Sequence, residues 1–351
     1  MYVRAKCRLL LHVDGTPSML YTICTIIISI ICLADKSVGN QLMTPIQNFE
    51  PSWTASSAGG TTIAIPFALK DIACAKDEQD SNSDAVLLIF RSTIPSALSS
   101  NADGVKRTKR LKSAFTLSGL RIFGSIYANS DDIPLNRSSK RWTLLGSAAI
   151  CSMTGFAPDI DYLTRYLQKM IDNHRTTYES TSISMTSFIS PMKLVESLAE
   201  ELQEAGQWQG GRPFGVQILL VGPDPTVKKP SALGIFTLDP DGGYRRWRGG
   251  AVIGRNGKII RDRLLDCWIS RNHTDAVLHE NGVDALSSGL QAEVLSRIEE
   301  SENLERSDMY EAILVWQVNN ECCVARINPD QINDMRNAIL DMNKAKSIKN
   351  G

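Results

Sequence analysis

The residues able to bind a metal or attack a substrate are cysteine, histidine and the paired acids. The chain of 351 residues has eight cysteines, Cys7, Cys24, Cys32, Cys74, Cys151, Cys267, Cys322 and Cys323, and four histidines, His12, His174, His273 and His279. No two cysteines form a CxxC pair and the histidines stand in no ligand-like spacing, so neither a structural zinc site nor any metal or cofactor is expected. In a chain this long the cysteines do not read as a disulfide framework, and reduced, mostly buried thiols are the expectation. No Ser/His/Asp or paired-carboxylate signature is present. One cation draws attention through its neighbours, Arg212 in Gly210-Gly211-Arg212-Pro213-Phe214-Gly215-Val216. Its guanidinium offers five donors in a rigid fork. Pro213 stiffens the start of a strand, and Gly215 lets backbones approach closely. This reading makes Arg212 structural, satisfied by backbone carbonyls at a helix-to-strand corner.

Lys plus Arg is 38 and Asp plus Glu is 38. A formal charge of zero argues against a nucleic-acid binder that works by bulk electrostatics, and it leaves little self-repulsion, which suits a subunit of an assembly. The basic run VKRTKRLK, residues 105–112, reads as a solvated loop rather than a binding patch. Apolar residues make up 43% of the chain, enough for a sizeable core, and 24 Gly with 14 Pro exclude collagen-like and wholly disordered chains.

Before the first strand, Met19 to Ala34 is uncharged, and Arg4, Lys6 and Arg8 precede it. A positive region followed by an apolar one fits a signal peptide. The run is short for a membrane span, which needs roughly 20 residues. Three readings compete: a signal or anchor, a mispredicted first exon, and a buried strand. Membrane contact is expected only under the first. The sequons at Asn136 and Asn272 would be glycosylated only in a secreted chain.

Strand patterns occupy Thr61 to Ile65 and Ala85 to Phe90, β-branched and apolar, with a polar turn or loop between them. Residues 92–133, rich in Ser, Asn, Lys and Arg, read as an insertion loop. Two amphipathic helices follow. Asp159 to Tyr178 places Ile160, Leu163, Leu167, Met170 and Ile171 on one face, and Ser190-Pro191 opens a second with Leu194, Val195, Leu198 and Leu202 before a stop at Gly206. Apolar runs then cover Gly215 to Val221 and Leu233 to Leu238, and Asp239-Pro240-Asp241-Gly242 turns the chain into Tyr244 to Trp247. A third helix is expected from near Gly254 and a fourth from about Leu290 to Glu300. Strands at Ala312 to Val318 and Val324 to Ile327 lead to a short last helix opened by Pro329. Segregated blocks of strands and helices predict an α+β fold. Two sheets, each covered by helices, give a four-layer α-β-β-α sandwich. The domain is expected over residues 43–335, with 1–42 outside it and 336–351 as a tail.

Several motifs together resemble proteasome α-type subunits. Gly211-Arg212-Pro213-Phe214-Gly215 matches the family's RPFGV stretch. Leu233 to Gly254 matches its hairpin at Asp239, Pro240, Gly242, Trp247 and Gly254. Met153 to Asp159 matches the segment before the first helix of the family's body, and Pro134 to Arg141 matches its pLldpSSveK stretch. The resemblance implies the four-layer fold. It also implies a non-catalytic subunit of the ring that admits unfolded substrate and docks activators, found in cytoplasm and nucleus, with other α and β subunits and regulatory activators as partners. Activator tails enter pockets between neighbouring α subunits, where a cation pairs with the tail carboxylate, and Lys140 or Arg141 occupies that place. The family's N-terminal helix is missing. Met43 to Pro51 stands where it would begin.

The related β-type subunits are threonine hydrolases. There a threonine freed from a preceding glycine attacks, with its own amine as base. Gly59-Gly60-Thr61-Thr62 looks similar, but α-type subunits also begin their first strand this way. In the active family an aspartate ends the second strand. Here Leu88-Ile89-Phe90-Arg91-Ser92 places Phe90 or Arg91 there, so no catalytic residues are expected.

Overall fold

A computed structural model of the chain describes residues 60–69, 83–92, 116–127, 142–146, 148–179, 189–207, 211–224, 232–269, 281–299, 309–318 and 321–350. The apolar segment 19–34, most of the 92–133 stretch, both sequons, Gly59, Gly210, Lys140 and Arg141 lie outside the described residues. The chain divides into two units. One comprises Met1–Phe49 with Gln209–Gly211, of which only Gly211 is described. The rest of the architecture belongs to the other unit.

That unit holds two wholly antiparallel sheets. The seven-stranded sheet contains β1 (Thr61–Leu69), β2 (Ser83–Ser92), β3 (Thr116–Leu117), β4 (Leu120–Tyr127), β10 (Ala251–Gly254), β11 (Met309–Val318) and β12 (Glu321–Ile327), in the order β10-β1-β2-β11-β12-β4-β3. The five-stranded sheet runs in sequence order: β5 (Trp142–Leu145), β6 (Ala149–Gly155), β7 (Val216–Pro223), β8 (Leu233–Leu238) and β9 (Tyr244–Trp247). Between the sheets lie Ala64, Val86, Leu88, Phe90, Ile150, Leu219, Val221 and Ile313, all buried. Polar bridges also cross between the sheets, and in one of them the Thr62 and Ser152 hydroxyls meet at 3.0 Å.

The helices cover the outer faces. On the five-stranded sheet lie α1 (Ala157–Glu179) and α2 (Pro191–Gln207). Every residue of their expected apolar stripes packs into this layer, with Leu163, Leu167, Leu194, Val195, Leu198 and Leu202 fully buried. Ser190 caps α2 by accepting from the Met192 amide at 3.3 Å. On the seven-stranded sheet lie α3 (Gly257–Ile269), α4 (Gly282–Glu299) and α5 (Pro329–Asn350). The result is the expected α-β-β-α sandwich. No helix among the described residues is long and apolar enough to cross a membrane.

The structure corrects four boundaries. β3 and β4 lie inside the stretch read as an insertion, and β4 pairs with β12. Leu120 and Ile122 supply its core face, while the charged Arg121 between them and the polar flanks hide the strand from a composition reading. α4 begins eight residues before Leu290. Asn281-Gly282 looks like a turn, but the Asn281 side chain accepts from the Asp284 amide at 2.8 Å and caps the helix. The last helix is not short. Asn328 caps it, it runs through the residues read as a tail, and Ile339 is buried in the core. Gly254 closes β10 and the third helix starts at Gly257.

Where α4 faces the sheet, glycine leaves no room for a side chain. A Cβ added at Gly289 would lie 2.5 Å from Ile89 Cδ1 and 2.8 Å from Ile65 Cδ1. Gly289→Leu is therefore expected to lower the unfolding free energy by about 2 kcal/mol through overpacking, whereas Glu196→Leu on the exposed face of α2 stays within about 0.5 kcal/mol. Denaturant unfolding of the two variants checks this.

Candidate functional site

The Arg212 corner joins the start of α1 to the start of β7. Phe156 donates its amide to the Gly215 carbonyl at 2.8 Å, just before α1 begins. Asp159, in the first turn of that helix and buried, then receives both ends of the guanidinium fork, Nη1 at 2.8 Å and Nη2 at 2.7 Å. The same carboxylate accepts from the Gly215 amide at 2.9 Å. The sequence pattern expects backbone carbonyls as the partners of Arg212. The Pro213 carbonyl does accept from it at 3.2 Å, but the principal partner is a carboxylate. The bidentate pair raises the Arg212 pKa, the Asp159 hydrogen bond being the main cause. Around it the Phe156 ring lies 5.3 Å below the guanidinium, and Phe214 stacks on Tyr162 at 5.6 Å. The Tyr162 hydroxyl donates to Glu201 of α2 at 2.8 Å, and this bond is the first cause of a pKa pushed up to about 12.

A second polar link ties the remaining motif residues together. Gln217 of β7 donates to Asp239 at 3.4 Å and accepts from the Gly254 amide at 2.8 Å. Asp239 opens the tight turn, its carbonyl accepting from the Gly242 amide at 2.9 Å. Gly242 has φ of 81° and would carry a Cβ 2.6 Å from the Ala199 carbonyl of α2, so this turn needs glycine there. Gly254, with φ of 89°, would place a Cβ 2.1 Å from the Gly60 carbonyl. Trp247 donates its indole N–H to Thr237 at 2.7 Å, and Arg261 of α3 covers its ring at 5.4 Å. Burial pushes the Asp239 carboxyl up, with Asp241 adding to the shift and Arg245, Gln217 and Arg261 opposing it.

Thr61 lies between Gly254 and Arg91 in the sheet register. It is buried, and its hydroxyl donates to the Arg255 carbonyl at 2.9 Å. Arg91 points into the helix layer and forms a buried ion pair with Glu293 of α4 at 3.2 Å. Glu293 also accepts from the Tyr310 hydroxyl at 2.5 Å, and Arg297 donates to that hydroxyl at 3.4 Å. Burial, then Glu293, raises the Tyr310 pKa. Sequence reading missed Asp159, Gln217 and Glu293 as partners. An acid in a first helical turn and a charged residue at a strand end were the available signals. Cys151, Cys322 and Cys323 are buried thiols, and burial pushes Cys151 up to about 12.

Two stacked antiparallel sheets between helical layers, with the arginine corner and the glycine-bearing hairpin, define a class of sandwich domain. Comparison with known proteins specifies the family. The family model described as "Proteasome subunit" matches residues 122–299, and the chain belongs to that family. A proteasome subunit alpha type-4 from Petunia hybrida is 25% identical over 217 residues, covering 62% of this chain and 78% of the relative. A proteasome subunit alpha type-4-1 from Oryza sativa subsp. indica is 25% identical over 198 residues, 56% of this chain and 70% of the relative. A proteasome subunit alpha type-6 from Saccharomyces cerevisiae is 27% identical over 147 residues, 41% and 58%. The chain is a divergent member whose relatives here are of the alpha type.

Two outcomes follow. Asp159→Ala, which strands the Arg212 fork and the Gly215 amide, is expected to cost about 2–4 kcal/mol, and Arg212→Lys about 1 kcal/mol because an ammonium cannot make both bonds. Chemical denaturation measures both. Asp239 has a raised carboxyl pKa in the folded chain, so its contribution is present below the ordinary value of 3.8 and is lost as pH rises through the folded value. Asp239→Asn is therefore expected to melt above the parent at neutral pH, with the difference vanishing in acid. A melting series against pH checks the sign.

Proposed function

We propose that this chain is a non-catalytic alpha-type subunit of the proteasome core particle. It forms part of the outer ring through which ubiquitin-dependent degradation admits substrate. The observation that carries the reading is the surroundings of Thr61. A threonine nucleophile needs a released hydroxyl and an acid and a base positioned around it. Here the hydroxyl is buried and committed to a backbone carbonyl, and the cross-strand neighbour is a guanidinium already paired with Glu293. The corner at Asp159 and Arg212 supports the alpha-type part, since its arginine belongs to the RPFGV motif by which the chain resembles that class.

Under this reading the partners are other alpha and beta subunits and regulatory activators, and the compartments are cytoplasm and nucleus. Lys140 or Arg141 supplies the cation for an activator's C-terminal carboxylate. The chain's contribution is shape and contact, and the peptide-bond chemistry belongs to beta-type neighbours.

A C-terminally tagged chain expressed from its native transcript is expected to co-purify with other alpha and beta subunits. Intact-mass analysis is expected to find no mature form beginning at Thr61. Recovery of the tagged chain as a monomer without any other subunit contradicts the assembly reading, and a chain beginning at Thr61 contradicts the non-catalytic one. Lys140→Ala/Arg141→Ala is expected to weaken capture of a peptide bearing an activator-like C-terminal tail without altering subunit recovery.

A further inference from the structure

On the helical layer over the five-stranded sheet, two tyrosines stand about one turn apart on α1, so Tyr162 and Tyr166 share a face. Tyr162 is 49% exposed. Its ring stacks on Phe214 with centroids 5.6 Å apart and planes at 19°, and its hydroxyl donates to Glu201 of α2 at 2.8 Å. Tyr166 is half-buried. Burial, then Glu201, Glu200 and Glu204, raises the Tyr166 pKa, so the charged residues that act on the two hydroxyls are all glutamates. Glu200 and Glu204 are exposed and have no cation partner among the described residues. The nearby cations are placed elsewhere. Arg212 is held by Asp159 over the Phe156 ring. Arg165 and Lys169 of α1 are exposed and act on neither hydroxyl, and the exposed Asp161 stands about one turn before Arg165. Lys193 lies in the first turn of α2, beside His174. Where Gly242 meets Ala199 and Gln203 of α2, the β8–β9 turn brings Asp239 and Asp241 against Arg245.

We infer that Tyr162 and Tyr166, with Glu200, Glu201 and Glu204, form a docking surface for a lysine- or arginine-bearing segment of a neighbouring proteasome subunit. The inference rests on the assembly reading above and adds to it a surface and the charge of the partner. The face of an aromatic ring is the negative side of its quadrupole and attracts a cation set over it. Donation of the Tyr162 hydroxyl to a carboxylate enriches that ring in electrons and strengthens the attraction. The domain already makes this kind of contact once, where Arg212 lies over Phe156 at 5.3 Å. A guanidinium or ammonium over Tyr162 also meets the Glu201 carboxylate at the edge of the ring. An acidic segment would face three carboxylates without a cation among them, so the same surface rejects it. The occupant is a protein side chain rather than a metal ion, because no three acids, histidines or cysteines among the described residues converge closely enough to hold one. Tyrosine and arginine are also the side chains that dominate binding energy at protein interfaces.

The test uses the tagged full chain in cells, with a photo-reactive phenylalanine in place of Tyr162 and, separately, Tyr162→Phe, Tyr162→Ala and Glu200→Lys/Glu204→Lys. The wild-type chain is expected to recover other proteasome subunits, and the photo-reactive one to cross-link to a lysine- or arginine-bearing peptide of one of them. Recovery should fall as salt rises. Tyr162→Phe keeps the ring and is expected to recover subunits as wild type does. Tyr162→Ala and the double reversal are each expected to reduce recovery by about tenfold, with circular dichroism and melting as in wild type. Asp334→Lys/Asp341→Lys on the exposed side of α5 should leave recovery unchanged. Equal recovery by wild type and the double reversal overturns this surface and leaves the assembly reading standing. A cross-link to a peptide without lysine or arginine, or no cross-link while subunits are recovered, also overturns it. If the reversal lowers melting, the cross-link decides alone, since it is made in a chain that keeps its glutamates. Failure of the wild-type chain to recover any proteasome subunit overturns the assembly reading and this inference with it.

Discussion

Both faces of both sheets must be dry, and this constraint organises the domain. Two sheets stacked face to face and covered by helices leave a central strand no solvent-facing side. In β2 all of Ala85 to Phe90 is buried, alternate residues filling the helix layer and the inter-sheet layer. Central strands are therefore apolar without alternation, and polar residues enter only where a partner satisfies them. Thr62 meets Ser152 across the sheets, and Trp142 turns its indole N–H to Glu311 at 3.2 Å. Charge is confined to strand ends, edges and helix faces. Arg91 stands at the end of β2 and needs Glu293 from the overlying helix, because an uncompensated buried guanidinium would cost several kcal/mol.

The corner at Asp159 and Arg212 solves a different problem. A helix in one layer and a central strand in the next must be held at fixed registration while their connecting backbone stays polar. One carboxylate does this by binding a guanidinium with both oxygens and a strand amide with one of them. Gln217, one turn of pleat further along β7, carries the restraint to the Asp239 turn and to Gly254, the last residue of β10 in the other sheet. Residues far apart in the sequence, Asp159, Arg212, Gln217, Asp239 and Gly254, are thus tied by polar bonds to the start of β7. Gly211 belongs to the other unit of the chain.

Much of the architecture was legible because continuous apolar runs and 3.6-residue stripes are forced by the dry sheets and the one-sided helices. The stripes of α1 and α2 landed in the core residue for residue. β4 was hidden because its described helix-facing residues, Leu120 and Ile122, are interrupted by the exposed Arg121, while Phe123 on the other face is exposed. The start of α4 was hidden because closeness to the sheet demands Gly282, Ser288 and Gly289, which read as turn residues. At the site, the importance of Arg212 was legible from its neighbours, but its partner was not. Asp159 is 53 residues away, and nothing local to the arginine distinguishes a carboxylate from a carbonyl partner. Glu293 was illegible for the same reason, since it meets Arg91 only when α4 folds over β2.

We propose for this proteasome-family chain an outer-ring, alpha-type position. Electron microscopy of core particles purified through the chain, with a density marker fused to its C-terminus, tests it most directly. The account predicts marker density on an end ring of the particle. Marker density on an inner ring, where the beta-type subunits lie, would contradict it.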